Sequence, residues 1–231
     1  MIQKNINLLI LAPHFYPEMG GLEKYCFNVS KSLINKGFNV NLICCMKKNF
    51  IKRENIEGIK VVRNKPNFMI SNTPLDINLH SVISKVLKSE DIDLVLAHTP
   101  VPYYADIGAI VCKKNNLPFI LTYHADIYKN NIPMNIISSV YNNVICKYTL
   151  NNSNFIITPS PFCYFESKYL KSNQKKVIYI PPGVDIKKFN PEPSNFLHKK
   201  YNIPDYSKII LFVGQLSGTH YSQKGLDVLI K

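Results

Sequence analysis

Apolar residues recur along the chain in two alternating rhythms. Short continuous runs of strand length alternate with longer stretches whose apolar positions fall three and four apart. Asn7-Leu-Leu-Ile-Leu-Ala12 is continuous and apolar, as expected of a strand buried on both faces. Leu22 to Lys36 then places Leu22, Cys26, Val29, Leu33 and Ile34 on one helical face, and Gly37 follows as the terminating glycine. Asn39 to Cys45 reads as the second strand and Ile59 to Arg63 as a weak third. Beyond them the pattern predicts helix over 75–88, strand over 93–98, helix over 103–114, strand over 119–123 and one long helix over 132–150. A strand at 155–158, a helix at 162–170 and a strand at 177–180 complete the series. Alternating β and α units specify an α/β fold, a Rossmann-like parallel sheet with helices on both faces and right-handed crossovers.

Pro181 to Pro191 breaks the rhythm with three prolines and a glycine in Pro181-Pro-Gly-Val-Asp-Ile-Lys-Lys-Phe-Asn-Pro191. A short helical piece at 195–200 precedes a new apolar strand, Ile209-Ile-Leu-Phe-Val213, ended by Gly214, and Gln223 to Lys231 reads as the first turns of a helix. The division is residues 1–180 as a first domain, 181–206 as a linker and 207–231 as the start of a second. That start buries too little surface to offset its ordering entropy alone. A length of 231 residues at about 150 per domain gives the same one and a half.

Composition adds three constraints. No apolar run reaches the roughly 18–20 residues that cross a bilayer, and the opening run meets Pro13 without a signal-cleavage pattern, so a cytoplasmic protein is expected. The six cysteines, at 26, 44, 45, 112, 146 and 163, form no C-x-x-C pair, which disfavours a zinc site or a disulfide framework. Lys and Arg number 28 against 15 Asp and Glu, a net charge of +13. That surplus suits an anionic partner, or reflects compositional bias. No arrangement typical of nucleic-acid recognition accompanies it. The basic stretch Lys47-Lys48 through Lys52-Arg53 reads as a solvated loop or as a contact for anionic lipid.

Ligands of doubly wound sheets bind at the carboxyl ends of strands. There the first loop carries His14 and ends in Gly20-Gly21 at a helix start, where free backbone N–H groups bind phosphate or simply make a turn. His98 ends one strand, and His124-Ala-Asp126 follows another. Imidazole there can donate to a sugar hydroxyl, or be satisfied by a neighbouring carbonyl. No serine has the elbow pattern of a hydrolase nucleophile, and Ser160 reads as a helix cap. In the tail, Lys224 at a helix start could meet a phosphate or lie in solvent.

Five segments, in order, carry a resemblance: Pro17-Glu-Met-Gly-Gly-Leu-Glu-Lys24, Thr122-Tyr-His-Ala-Asp126, Ile157-Thr-Pro-Ser160, Ile180-Pro-Pro-Gly-Val-Asp185 with Phe189 and Pro191, and Leu211-Phe-Val-Gly-Gln-Leu216 with Lys224-Gly225. The chain resembles the retaining glycosyltransferases of family 4, of GT-B fold, over nearly its whole length. The resemblance implies an acceptor-binding N-terminal domain and a donor-binding C-terminal one. It implies a nucleotide sugar as donor, a saccharide or lipid-linked acceptor, and no metal or other cofactor. His124 and Asp126 would be the catalytic positions, and Gly20, Gly21, Gly214, Gln215 and Lys224 the donor-binding ones. His14 and His98 would lie on the acceptor side, with Gly183 and Asp185 at the hinge. Gln215 departs from the family's usual Arg, losing a bidentate charged grip on phosphate, and His220 or Tyr221 in the longer Ser217–Gln223 loop could compensate. The family's glutamate pair, eight positions apart, would lie beyond Lys231. The chain is therefore expected to be the acceptor half with little transferase activity alone, working at the inner face of a cell membrane in cell-surface polysaccharide or glycolipid synthesis. The alternative is a non-catalytic domain binding a glycan, a lipid or a partner.

Overall fold

The computed structural model describes residues 5–46, 52–128, 132–191, 194–214 and 225–230. The chain divides into two compact units, Met1–Gly183 and Val184–Lys231.

The first unit is built on an eight-stranded sheet. In chain order its elements are β1 (Asn7–Leu11), α1 (Gly21–Ile34), β2 (Asn39–Cys45), β3 (Arg53–Ile56) and β4 (Ile59–Asn64), then the hairpin β5 (Phe68–Ile70) and β6 (Thr73–Leu75). They continue through α2 (Leu79–Ser89), β7 (Leu94–Thr99), α3 (Tyr104–Lys114), β8 (Phe119–Tyr123) and α4 (Ile132–Tyr141). A π turn (Asn142–Cys146) joins α4 to α5 (Lys147–Asn151), followed by β9 (Phe155–Thr158), α6 (Pro161–Glu166), a 3-10 turn (Lys171–Lys176) and β10 (Val177–Tyr179). The strand order is β10-β9-β8-β7-β1-β2-β4-β3, parallel except for the edge strand β3.

β1 sits at the centre, paired in parallel with β2 and with β7. Its residues alternate between two cores. Leu9 and Leu11 pack with Ile83, Ala105, Ala109 and Leu150 on one face. Leu8, Ile10 and Ala12 pack with Cys26, Val40 and Leu42 on the other. A side-chain period of two on a doubly covered strand explains the continuous apolar run. The helix α3 approaches this sheet closely at Gly108, where a Cβ would run into Leu11 Cδ1 and lie 3.3 Å from Phe119 Cε2.

Several boundaries differ from the sequence reading. Of the basic stretch read as a solvated loop, residues 47–51 lie outside the described residues, Lys52 is exposed outside any strand, and Arg53 begins β3. A tight turn at Glu57-Gly58, both at positive φ, joins β3 to β4 antiparallel. Polar, charged Arg53-Glu-Asn-Ile56 hides a strand because an edge strand need not be apolar. The helix expected over 75–88 begins at Leu79, since the preceding residues form the β5–β6 hairpin. The helix expected over 132–150 is interrupted by the π turn, where Asn142 is buried and donates from Nδ2 to the Ile127 carbonyl at 2.9 Å. The helix expected over 162–170 ends at Glu166 and is followed by the 3-10 turn. Ser160 does cap that helix, accepting from the Phe162 N–H at 3.2 Å.

The second unit holds α7 (Phe196–Tyr201) and α8 (Leu226–Leu229) among its described residues. The strand expected at 209–213 is not formed, and most of its side chains are exposed. A strand needs a neighbour to take its N–H and C=O groups, and no described residue of this unit is in a strand. No helix among the described residues is long and apolar enough to cross a membrane. All six cysteines are free.

Gly108→Ala adds a methyl group to a filled contact. Overpacking costs about 1–3 kcal/mol, against a gain of roughly 1 kcal/mol in helix propensity. A net loss of stability is expected, read as a lower midpoint of thermal unfolding by circular dichroism.

Candidate functional site

The strand order places a topological switch between β1 and β7. The connection from β1 runs through α1 to β2, whereas that from β7 runs through α3 to β8. Chains leaving in opposite directions open a crevice at the carboxyl ends of these strands, where open α/β sheets bind ligands.

Two imidazoles and a phenol meet there. His98, near the end of β7, is fully buried, and His124, immediately after β8, is partly buried. His124 Nε2 lies 3.5 Å from His98 Nδ1, and the ring centroids are 5.7 Å apart. Tyr25 of α1 stands edge-on to both, at 5.9 Å from His98 and 5.1 Å from His124. Burial, with the second imidazole adding to it, lowers the His98 pKa to about 3. Burial lowers that of His124 to about 4. Both rings are therefore neutral near pH 7. His98 Nε2 has no hydrogen-bond partner among the described residues.

The loop carrying His124 is held from α6. The Cys163 thiol contacts the His124 carbonyl at 3.3 Å. Asp126 accepts hydrogen bonds from three hydroxyls: Tyr123 at 2.5 Å, Ser167 at 2.6 Å and Tyr128 at 3.2 Å. Its carboxylate thus ties the end of β8 to the end of α6.

The loop after β1 lies on the other side of the switch. Gly20 is the N-cap of the fourteen-residue α1, which has no side-chain cap, and both Gly20 and Gly21 are exposed. A Cβ on Gly20 would lie 2.5 Å from Glu23 Oε2, whereas one on Gly21 would meet nothing within 4 Å. One turn along, Tyr25 carries the helix face to the histidines. His14 is buried, but its Nε2 lies 2.9 Å from the carbonyl of Asn72 at the β5–β6 turn, so it anchors the hairpin. Arg63 of β4 is also buried. It donates to Glu54 Oε1 at 2.5 Å and to the Tyr16 carbonyl at 2.5 Å, and its Nη1 contacts Cys44 Sγ at 3.3 Å. This guanidinium fixes the first loop to the sheet edge.

The remaining candidates lie apart. Gly183 closes the first unit, and a Cβ there would meet nothing within 4 Å. Asp185 Oδ1 accepts from the N–H groups of Lys187 and Lys188 at 3.0 and 3.2 Å, closing a turn in the second unit. Gly214 is exposed in that unit, while Gln215 and Lys224 lie outside the described residues. A cavity of about 310 Å³ between β3, β4 and α2 shares no residue with the histidine cluster. Sequence reasoning missed Tyr25 and Arg63. The signal for Tyr25 was its place four residues after Gly21, one helical turn. An arginine inside a strand gives no sign of whether it points to solvent.

The family model of Glycosyltransferase Family 4 matches residues 19–188. The phosphatidylinositol N-acetylglucosaminyltransferase GPI3 subunit of Saccharomyces cerevisiae is 26% identical over 232 residues, covering 97% of this chain and 48% of that protein. A phosphatidylinositol N-acetylglucosaminyltransferase subunit of Homo sapiens is 24% identical over 231 residues, covering 96% of this chain and 43% of that protein. The chain thus spans about half the length of the curated relatives it matches. In fold it is similar to a glycosyltransferase from Rickettsia africae, with TM-score 0.60, 19% identity and coverage of 88% of this chain and 51% of that one. It is also similar to Anabaena Alr3699/HepE in complex with UDP-glucose, with TM-score 0.57, 16% identity and coverage of 86% and 50%. Both likenesses support the Rossmann-like sheet of a GT-B fold.

The depressed histidine pKa values set a stability slope. Unfolded histidine titrates near 6.5, so as pH falls below that value the unfolded chain binds protons that the folded chain refuses. Stability is then lost on acidification from pH 6.5 toward 4. His98→Asn is expected to flatten that slope in urea unfolding followed against pH, and an unchanged slope would count against a buried neutral pair.

Arg63→Met keeps the apolar stem but leaves Glu54 and the Tyr16 carbonyl without their donor. A loss of about 2–3 kcal/mol is expected in urea denaturation, below the full cost of breaking a buried pair because Glu54 is a quarter exposed.

Proposed function

The chain belongs to glycosyltransferase family 4, and from that membership we propose that it forms the acceptor side of an enzyme moving a sugar from a nucleotide-activated donor to a lipid-linked acceptor, with retention of configuration. The observation that carries this reading is the neutral His98–His124 pair, edge-on to Tyr25, at the switch point beside the glycine-started α1. A neutral imidazole can donate one N–H to a sugar hydroxyl or to a developing negative charge without adding a full cation to the pocket. His124 is the residue proposed to touch the transferred sugar. Asp126, engaged by three hydroxyls, holds its loop.

Sugar transfer releases a nucleoside diphosphate, and negative charge grows on its oxygens as the glycosidic bond breaks. Fixed dipoles aimed at that charge lower the barrier. The N–H groups at Gly20 and Gly21 start a helix without a side-chain cap and can serve in this way. Gln215 and Lys224 are proposed as further ligands of the leaving diphosphate, with protein groups in place of a divalent metal. The yeast and human relatives are named for transfer to phosphatidylinositol, which favours a lipid-linked acceptor over a free saccharide. A lipid acceptor in turn favours work at a membrane surface, which a net charge of +13 suits.

The experiment supplies this chain with a donor-binding domain of a family member in trans, together with nucleotide sugars and a lipid extract. Label is expected in an organic-soluble product. His124→Ala is expected to lower that transfer by about a hundredfold, the lower range for a lost acid–base or hydrogen-bonding group. Undiminished transfer by His124→Ala would refute its role. Tight glycan or lipid binding with no transfer under any combination would favour the non-catalytic alternative.

A further inference from the structure

The outer strand of the β5–β6 hairpin carries more apolar surface than its packing covers. Phe68, Met69 and Ile70 are consecutive and 63%, 49% and 58% exposed. Successive residues of a strand face opposite sides, so neither side of β5 is covered. The partner strand β6 does pack, with Pro74 buried. Three large apolar side chains therefore lie along the outer strand of a two-stranded ribbon, a type of element that is marginal by itself.

The ribbon is pinned to the candidate site rather than loose. Its turn is held by His14 from the loop after β1. Its return is held by the Tyr103 hydroxyl, from the loop after β7, which donates to the Asp76 carbonyl at 2.6 Å. Both pins come from the two strands that flank the switch point. Cations collect at its base. Lys65 is exposed three residues before Phe68, and exposed Lys52 and Arg53 lie across the β3–β4 pairing, where the Arg63 N–H donates to the Lys52 carbonyl at 2.8 Å.

An exposed apolar strand with exposed lysine at its start is complementary to the interface of an anionic bilayer, where apolar side chains enter the acyl boundary and lysines stay among the head groups. We propose that the Phe68–Ile70 strand is a membrane-docking element that seats the rim of the candidate site on an anionic lipid surface. Its purpose rests on the lipid-linked acceptor proposed above, but its test does not. A second apolar surface, the Ile132, Ile136, Val140, Val144 row along α4 and the π turn, is also exposed, yet nothing in the structure shows what covers it.

The chain contains no tryptophan, so Phe68→Trp and, separately, Ile136→Trp each install a single reporter. The full chain is mixed with vesicles of phosphatidylcholine alone or of equal parts phosphatidylcholine and phosphatidylglycerol, without nucleotide sugar. The indole from Phe68→Trp is expected to shift to shorter wavelength on anionic vesicles only, and that from Ile136→Trp to stay unchanged. Phe68→Ser/Met69→Ser/Ile70→Ser, with circular dichroism confirming the fold, is expected to weaken co-flotation about tenfold or more. Absence of binding, a shift from Ile136→Trp alone, or co-flotation that ignores the hairpin would overturn the proposal. Vesicle binding through the hairpin by a chain that never supports transfer would refute the function and leave the docking surface standing.

Discussion

The pairing of β1 with β2 on one side and β7 on the other constrains the rest of the molecule. A central parallel strand buried on both faces must be apolar along its length, and its two cores must each be covered by helices entering from different connections. Once those connections diverge, the carboxyl end of β1 cannot be closed by either. Polar groups at that end have a crevice to face while their backbones remain fixed in a sheet. His98 illustrates the result: its Cα belongs to a strand registered against Thr122, and its ring sits without solvent. The cost of an imidazole at that depth is its charge, and neutrality makes the pair usable as a hydrogen-bonding surface rather than a cationic one.

The crevice is framed by ties from the elements around it. Arg63 holds the first loop to the edge of the sheet, Tyr103 holds the hairpin to the loop after β7, and Asp126 holds the loop after β8 to α6. Tyr103 itself sits at positive φ, with its N–H donating to Asp106 Oδ2 at 2.7 Å. A non-glycine residue there is strained and persists only where its surroundings over-determine it. Asp106 supplies that determination, since it also takes hydrogen bonds from Tyr141 and Thr149 on the two sides of the π turn. The irregular helix after β8 and the strained loop after β7 therefore share one carboxylate. The extra residue of the π turn lets Tyr141 and Thr149 reach it together.

The parallel core was legible in the residues because doubly buried strands write themselves as continuous apolar runs, as at Leu8–Leu11. The placement of His98 and His124 was legible because each stands at the end of a continuous apolar run. What escaped was set by pairing rather than composition. β3 is polar because it is an edge, and the five apolar residues at 209–213 pair with no described residue, since a run of apolar side chains fixes no partner for its backbone. Asp126 was picked out by its place two residues beyond a histidine; that Ser167, at the end of α6, joins Tyr123 and Tyr128 on its carboxylate is a matter of tertiary packing. Arg63 escaped for the converse reason: its environment comes from Glu54 and Tyr16, which no periodicity brings together.

The same logic separates the two uses of exposed apolar surface in this molecule. A long helical row such as Ile132–Val144 presents one face while its other side builds the core, so its exposure says only that a cover is missing from view. β5 differs because both its faces are open and its ends are tied to the loops of the crevice. Apolar side chains left about half exposed there cost solubility. Their position is explained if the surface they meet also delivers the acceptor. A lipid-linked acceptor is confined to a plane, so a rim seated in that plane would fix one of the three coordinates, the depth along the membrane normal, and leave only a two-dimensional search for the proposed site at His124. That reduces the search without any contact to the sugar itself, and it links the exposed lysine, the hairpin and the buried histidines in one arrangement.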